Sequence, residues 1–454
     1  MAHMAFDPVI AVNRFGLGAA PGELAAAAAD PRAWLAGQAA RPAPAYPEFS
    51  GLATSSAALE EYPRWIASLR GAGTRTVEET FRSHFGPIML EEFGARLAAA
   101  ASTATPFQER LVWFWANHFT VSAEKPLVFA LVGSFEREAI RPQVTGRFAD
   151  LLLAAASHPA MILYLDNHLS VRKGWQPRRP SRSAAFPAPT GLNENLAREI
   201  LELHTLGVNG GYTQADVTEF ARVITGWTVR GQGKRGFLFD PARHEPGAKT
   251  LLGKTYAEEG MVQGEAVLRD LAAHPATALH VATKLARHFI ADDPPPAAVA
   301  RIARAFRDTD GHLPSVYAAL LDCPQAWERP LAKLKTPVEY VVSCQRALPA
   351  LRAAKPQAMF FTLRGMGQRP FFAPSPQGWP DSTQAWSGAD ALWKRIEWAG
   401  ILAARLGSQV DPLALAREGY GDAVGEATRL ALARAESRQQ GLALWLASPE
   451  FQRR

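Results

Sequence analysis

The chain has 454 residues, 48% of them apolar and 20% charged, with a formal charge of +6. That balance excludes global disorder, and an excess of positive charge this thinly spread makes no case for nucleic-acid binding without a concentrated patch. No apolar run approaches the roughly 20 residues that cross a bilayer, and Cys323 and Cys344 fit no metal-ligand pair, redox motif or disulfide framework, so two buried thiols are expected, with a single disulfide as the alternative.

The opening MAHMAFDPVIAVNRFGLG has no basic segment followed by a long apolar one, so no secretory signal is visible. Met1 to Met4 read as a remnant of cloning, which leaves the native start open. Residues 8–18 form a short apolar run with Asn13 and Arg14 before two glycines. Two short helices follow around Pro31, then a Pro, Ser and Gly rich surface loop over residues 41–56. From residue 57 to about 102 the pattern is helical, with Phe81, Phe85, Met89 and Phe93 at four-residue steps and Pro87 expected to kink or divide the run. PFQERLVWFWANHFTVS, residues 106–122, opens on Pro106 as a helix start and is mostly buried by Trp113, Phe114 and Trp115. It ends on Asn117 and His118. Helical runs at 126–141 and 147–156 lead to HPAMILYLDNH, which ends in Asp166, Asn167 and His168.

Residues 170–190 carry five basic residues and four prolines without apolar periodicity and read as a loop insertion. Arg172, Lys173, Arg178, Arg179 and Arg182, beside Trp175 and Phe186, could follow a phosphate backbone or an acidic polysaccharide. A solvated loop is the preferred reading, and nucleic acid is an unlikely partner.

The greatest concentration of polar chemistry lies at residues 191–229, with four glutamates, two arginines and a histidine in two helical runs. Thr190 and Asn193 can cap the first run, and Glu194 in its first turn complements the helix dipole. At about 100° per residue, Glu194, Asn195, Arg198, Glu199 and Glu202 share one face. Leu196, Ala197, Ile200 and Leu203 share the other, and His204 projects from that apolar side as an expected core histidine. A solvated ladder of i, i+4 pairs explains the polar face at about 0.2–0.5 kcal/mol per pair. The competing reading is a site completed by His118, Asp166 and His244 from other segments.

Several motifs are absent. His244 and Glu245 are followed by Pro246, which rules out a helical HExxH, and the residue three before His204 is Leu201, which rules out a helical ExxH. GAKTLLGKT at 247–255 has five residues between its glycines where a phosphate loop has four. No GxSxG occurs, and GQG at 231–233 is too short for a dinucleotide fingerprint.

Beyond Trp227, residues 229–256 could form a small hairpin. Helices resume from 264 to 348, followed by the turn-rich FFAPSPQGWPDSTQAW and helices at 389–406 and 423–447. Tryptophans 379, 386, 393 and 398 could stack on sugars, but core packing is the favoured reading of the last two.

NRFGLG at 13–18, WFWANHFTV at 113–121, YLDN at 164–167, NENLAREILELHTLGV at 193–208, YTQADVTEFARVITGW at 212–227, FDPARHEPGAKTLLG at 239–253 and PSPQGW with Trp386 run nearly the whole length. In these blocks the chain resembles the bacterial family catalogued as domain of unknown function eighteen hundred. The resemblance implies one family domain over residues 5–454 and no particular chemistry. It also implies a periplasmic or exported setting and a sulfatase-like partner protein. The chain departs from the family in having no visible signal, which leaves the cytoplasm open as an alternative setting, and in the basic Pro-rich stretch before Gly191.

The expected fold is mainly α, a large single body of many helices with at most a small β-hairpin. The first functional expectation is a hydrolase or lyase acting on a carbohydrate or other polymer. Its catalytic candidates are Glu199, Glu194, His118, Asp166 and His244, and its substrate-binding candidates are Arg198, Asn195, Asn117 and Trp227. A divalent metal ion is the cofactor such a site could hold: Ca²⁺ or Mg²⁺ with oxygen ligands, Zn²⁺, Mn²⁺ or Fe if the histidines take part. The alternative is a non-enzymatic envelope binding or assembly protein whose polar helix is a structural salt-bridge network.

Overall fold

The computed structural model describes residues 6–69, 77–176, 189, 191–230 and 236–454. Arg178, Arg179, Arg182 and Phe186 of the basic stretch lie outside the described residues. Helices dominate, and prolines explain many of their boundaries. Pro31, Pro106, Pro159, Pro275, Pro296, Pro337 and Pro356 each stand in the first turn of a helix, where the missing N–H has no partner to lose and the fixed φ is already helical.

The body is organised around helix Pro106–His118, in which every residue from Pro106 to Trp115 is buried. Phe107 and Phe114 pack against Phe289, Phe107 meets Phe15 edge-on, and the Trp115 indole N–H donates to the Tyr317 hydroxyl at 2.6 Å. A helix buried all round must pair its charges. Glu109 accepts both arms of Arg141, and Arg110 donates to the Gly16 carbonyl and to Glu339. One continuous apolar core runs from Val9 to Phe451, with a small satellite of Trp65, Phe81 and Phe85.

Three local expectations change. Pro87 lies inside helix Val77–Ser102, which neither ends nor divides there, because Phe81, Phe85, Met89 and Phe93 are all buried and tertiary packing holds both sides of it. Two antiparallel hairpins replace one: Trp227–Arg230 pairs with Gly236–Phe239, and Lys249–Leu251 with Lys254–Tyr256. The second is formed by the stretch that resembled a phosphate loop. The central run is helical only over Asn195–Glu199, with the Asn193 side chain accepting from the Asn195 N–H at 2.9 Å, and then widens into a π turn at Ile200–His204. Wider turns advance each residue by less than 100°, so side chains after Glu199 leave the faces that an α wheel assigns them. Helix Gln214–Val223 follows, closed by a Thr213/Asp216 capping box. Cys323 and Cys344 are free, buried thiols. No helix is long and apolar enough to cross a membrane among the described residues.

Candidate functional site

A cleft of about 590 Å³ opens beside the C-terminal half of the aromatic helix. One wall is helix Pro275–Phe289, whose His280, Lys284 and His288 are spaced four apart and so lie in one stripe beside its apolar face. Trp113, Phe114, Asn117 and His118 form the second wall, and the turn-rich segment from Pro370 to Asp381 forms the third.

That third wall has no periodic structure and is held by specific contacts. The Asn117 amide donates to the Trp379 carbonyl at 2.9 Å and its oxygen accepts from the Trp379 N–H at 2.8 Å. Gly378 has φ +85° and passes so close that a Cβ there would lie 2.5 Å from the Asn117 carbonyl oxygen, so only glycine fits. The Trp386 indole donates to the Pro380 carbonyl at 2.9 Å. Together these contacts place Asp381 against His288.

Asp381 Oδ2 lies 2.6 Å from His288 Nδ1, and Asp381 also sits 3.5 Å from both Lys333 and Arg454. Burial would raise its carboxyl, but His288, Lys333 and Arg454 outweigh that and hold it well below the usual carboxylate range. Burial, opposed by Asp381 and reinforced by Arg454 and Arg110, lowers the His288 imidazole to about 4. The pair is therefore a carboxylate and a neutral ring at pH 7. A neutral ring must put its proton on Nδ1 to donate to Asp381, which leaves Nε2 a buried lone pair with no partner among the described residues. Beneath the pair, Glu339 bridges Arg110 and Arg454, and Lys333 also pairs with Asp292 at 3.0 Å. Burial pushes Glu339 up, but Arg454 and Arg110 prevail and keep it ionised.

The other histidines of the cleft support the central stretch. His118 Nε2 and His280 Nε2 donate to the carbonyls of His204 and Leu203, each at 3.0 Å, satisfying groups that the end of the π turn leaves free. Burial and Lys284 lower both rings, His280 to about 4. The His204 ring is buried without a partner among the described residues, 6.1 Å from the His118 ring. Lys284 has no hydrogen-bond or ion-pair partner among the described residues, and no group of three or more His, Cys, Asp or Glu there is placed to hold a metal ion.

The sequence candidates are dispersed. Asn117 and His118 line the cleft, Asn117 through its grip on Trp379. Glu194 and Arg198 pair at 3.0 Å at the surface with Gln214 and Thr218, and Asn195 is exposed next to them. Glu199 is half-buried, and burial with neighbouring Glu202 raises its carboxyl. Asp166 holds a left-handed turn and pairs with Lys125 at 2.6 Å. His244 and Trp227 belong to the hairpin region: His244 Nδ1 bonds the Thr225 carbonyl at 3.0 Å, and Trp227 is wholly buried against Gly264 and Phe237. Of the other tryptophans, Trp379 lines the cleft, Trp386 and Trp398 are buried, and Trp393 is 60% exposed. Glu202, placed on the polar face but not among the site candidates, also lines the cleft, and His280, Lys284, His288 and Asp381 were not anticipated from the sequence. The four-residue spacing on helix Pro275–Phe289 was the available signal for three of them.

The fold and the cleft define a mainly α, single-body protein with an aspartate-oriented histidine in an aromatic-walled cavity. Residues 10–453 match the family described as Protein of unknown function (DUF1800), and the chain belongs to that family. No curated protein and no solved structure matches it.

Proposed function

We propose that the cleft is the active site of a hydrolase or lyase acting on a carbohydrate or other polymer, with His288 as its general base. The observation that carries this reading is the 2.6 Å contact of His288 Nδ1 with Asp381, which fixes the tautomer and leaves Nε2 a buried lone pair without a partner among the described residues, the group that would take a proton once a substrate is seated against it. Asp381 orients the ring and stabilises the imidazolium that forms, the division of labour known from other carboxylate–histidine pairs. Phe371 and Trp379, part-exposed on the cleft lining, offer flat apolar faces of the kind that pack against sugar rings. In this reading the catalytic carboxylate is Asp381, whereas Glu194 and Asp166 serve the surface and His118 buttresses the cleft.

The test is turnover of a panel of polysaccharides and their oligosaccharides, followed by release of reducing ends and by ultraviolet absorbance of unsaturated products. His288→Asn should abolish any activity found in the wild type while leaving the unfolding midpoint near wild type. An unchanged rate in that variant excludes His288 as the base.

A second reading, a non-enzymatic envelope binding or assembly protein, is favoured by the buried network of Arg110, Glu339, Arg454, Asp381 and Lys333, which ties distant segments together. It expects no turnover and substitutions in the network that act on stability alone. A sulfatase-like partner belongs to either reading and is tested by co-purification.

A further inference from the structure

We infer that the cleft takes a substrate bearing a single carboxylate, an acidic rather than a neutral sugar unit, and that Lys284 is the counter-ion for it. The inference rests on the cleft being the substrate site as proposed above, and it concerns binding rather than catalysis.

Under the cleft, the cations Arg110, Arg454 and Lys333 are matched by the carboxylates Glu339, Asp381 and Asp292 through contacts such as Arg454 to Glu339 at 3.1 Å and Lys333 to Asp292 at 3.0 Å. Arg96, also on the cleft lining, pairs with Glu136 at 2.7 Å. Two cations of the lining, Lys284 and the exposed Arg287, and one carboxylate, Glu202, are left without an ion pair among the described residues, a surplus of one positive charge. Among the described residues Lys284 has no carboxylate within ion-pair distance, and the charges that act on it most are Asp381, already shared among His288, Lys333 and Arg454, and the second cation, Arg287. Its other titratable neighbours, His118, His204 and His280, are all driven towards the neutral form.

An ammonium set in a part-buried wall without an anion carries a desolvation cost, and a fold that keeps one there leaves a place for an anion supplied from outside. Burial, partly offset by Asp381 and reinforced by Arg287, lowers Lys284 to about 8, so it still carries its charge at neutral pH. The charge that balances it is one. A dianion such as phosphate would exceed the single positive charge left by Lys284, Arg287 and Glu202 and set a surplus negative charge beside Asp381 and Glu339. Arg287, whose Nε donates only to the Asp292 carbonyl at 3.2 Å, stands exposed at the rim, where it can draw an anion inward. The aromatic and proline surfaces opposite would receive the uncharged body of the same unit.

Calorimetric titration with a galacturonate trisaccharide, the matching neutral galactose trisaccharide and inorganic phosphate tests the inference. The acidic trisaccharide should bind at least tenfold more tightly than the neutral one. Lys284→Gln should remove that preference, Lys284→Arg should keep most of it, and unfolding midpoints should show that both variants are folded. Turnover of the same trisaccharides by the wild type is followed separately, which keeps this inference distinct from the catalytic one: binding of the acidic trisaccharide without turnover ends the catalytic reading alone. Equal affinity for the neutral trisaccharide, tighter binding of phosphate, no binding at all, or an unchanged preference in Lys284→Gln would each overturn the inference.

Discussion

Two helices of this protein carry stripes of polar side chains, and they use them in opposite ways. On the run that begins at Asn195, Glu194 accepts from Arg198, Gln214 and Thr218, all at the surface, so the donors and acceptors satisfy one another. On helix Pro275–Phe289, His280 supports the backbone of the neighbouring π turn, and among the described residues Lys284 has no ion-pair anion and the buried Nε2 of His288, beside Asp381, has no partner. The first stripe is denser in charge but closed. The second is sparse and incomplete, and incompleteness inside a cavity is the property that a ligand can use.

The contrast is broken most forcefully at His288. His288→Asn or Asp381→Asn should lower turnover by about 10³-fold or more, the scale of losing a general base or its orienting carboxylate, whereas Glu194→Gln should leave turnover within about twofold. Equal losses from the two helices would remove the distinction.

Glu339→Ala comes next. It strands the Arg110 and Arg454 guanidinium groups in the interior and should cost about 3–5 kcal/mol of unfolding free energy in a denaturant titration. A cost below about 1 kcal/mol would mean that the network is loosely solvated and leave the second functional reading without its support.

How much of this was legible in the sequence follows from which signals are local. The start of the aromatic helix at Pro106, its burial and the placement of Asn117 and His118 at its end follow from apolar content and proline position, which act over one or two turns. The wheel drawn through Glu202 failed beyond Glu199 because the side chains at 200–204 suit a π turn as well as an α turn, and only the carbonyl partners His118 and His280 distinguish the two. His288 and Asp381 are 93 residues apart, and Asp381 lies in a turn-rich segment with no period. Its position is set by Asn117, Gly378 and Trp386, which are tertiary contacts. Glu194 and Asp166 drew attention because they are acidic and clustered, and the surface explains both.

His288 must be neutral and Lys284 charged, so turnover should fall as pH drops through about 4 and again as it rises through about 8. Lys284→Gln should remove the upper limb. Stability has its own sign. His204, His280 and His288 are lowered to about 3, about 4 and about 4, so the unfolded chain binds more protons as pH falls below about 6.5. Their contribution is fully present above that value and is lost as pH falls towards the folded values, which a series of unfolding midpoints would trace. The smallest effect belongs to the surface ladder: Glu194→Gln should change stability by no more than about 0.5 kcal/mol, and the change should shrink with added salt.

The most direct test of the central claim needs no substrate. Nitrogen NMR of protein labelled at histidine, with the His288 signals assigned through His288→Asn, reports which ring nitrogen carries the proton. The expected result is a neutral ring with its proton on Nδ1 and a bare Nε2 from neutral pH down to about 4. A ring protonated at Nε2, or one that titrates near its ordinary value of about 6.5, would contradict the assignment of His288 and Asp381 as an oriented base.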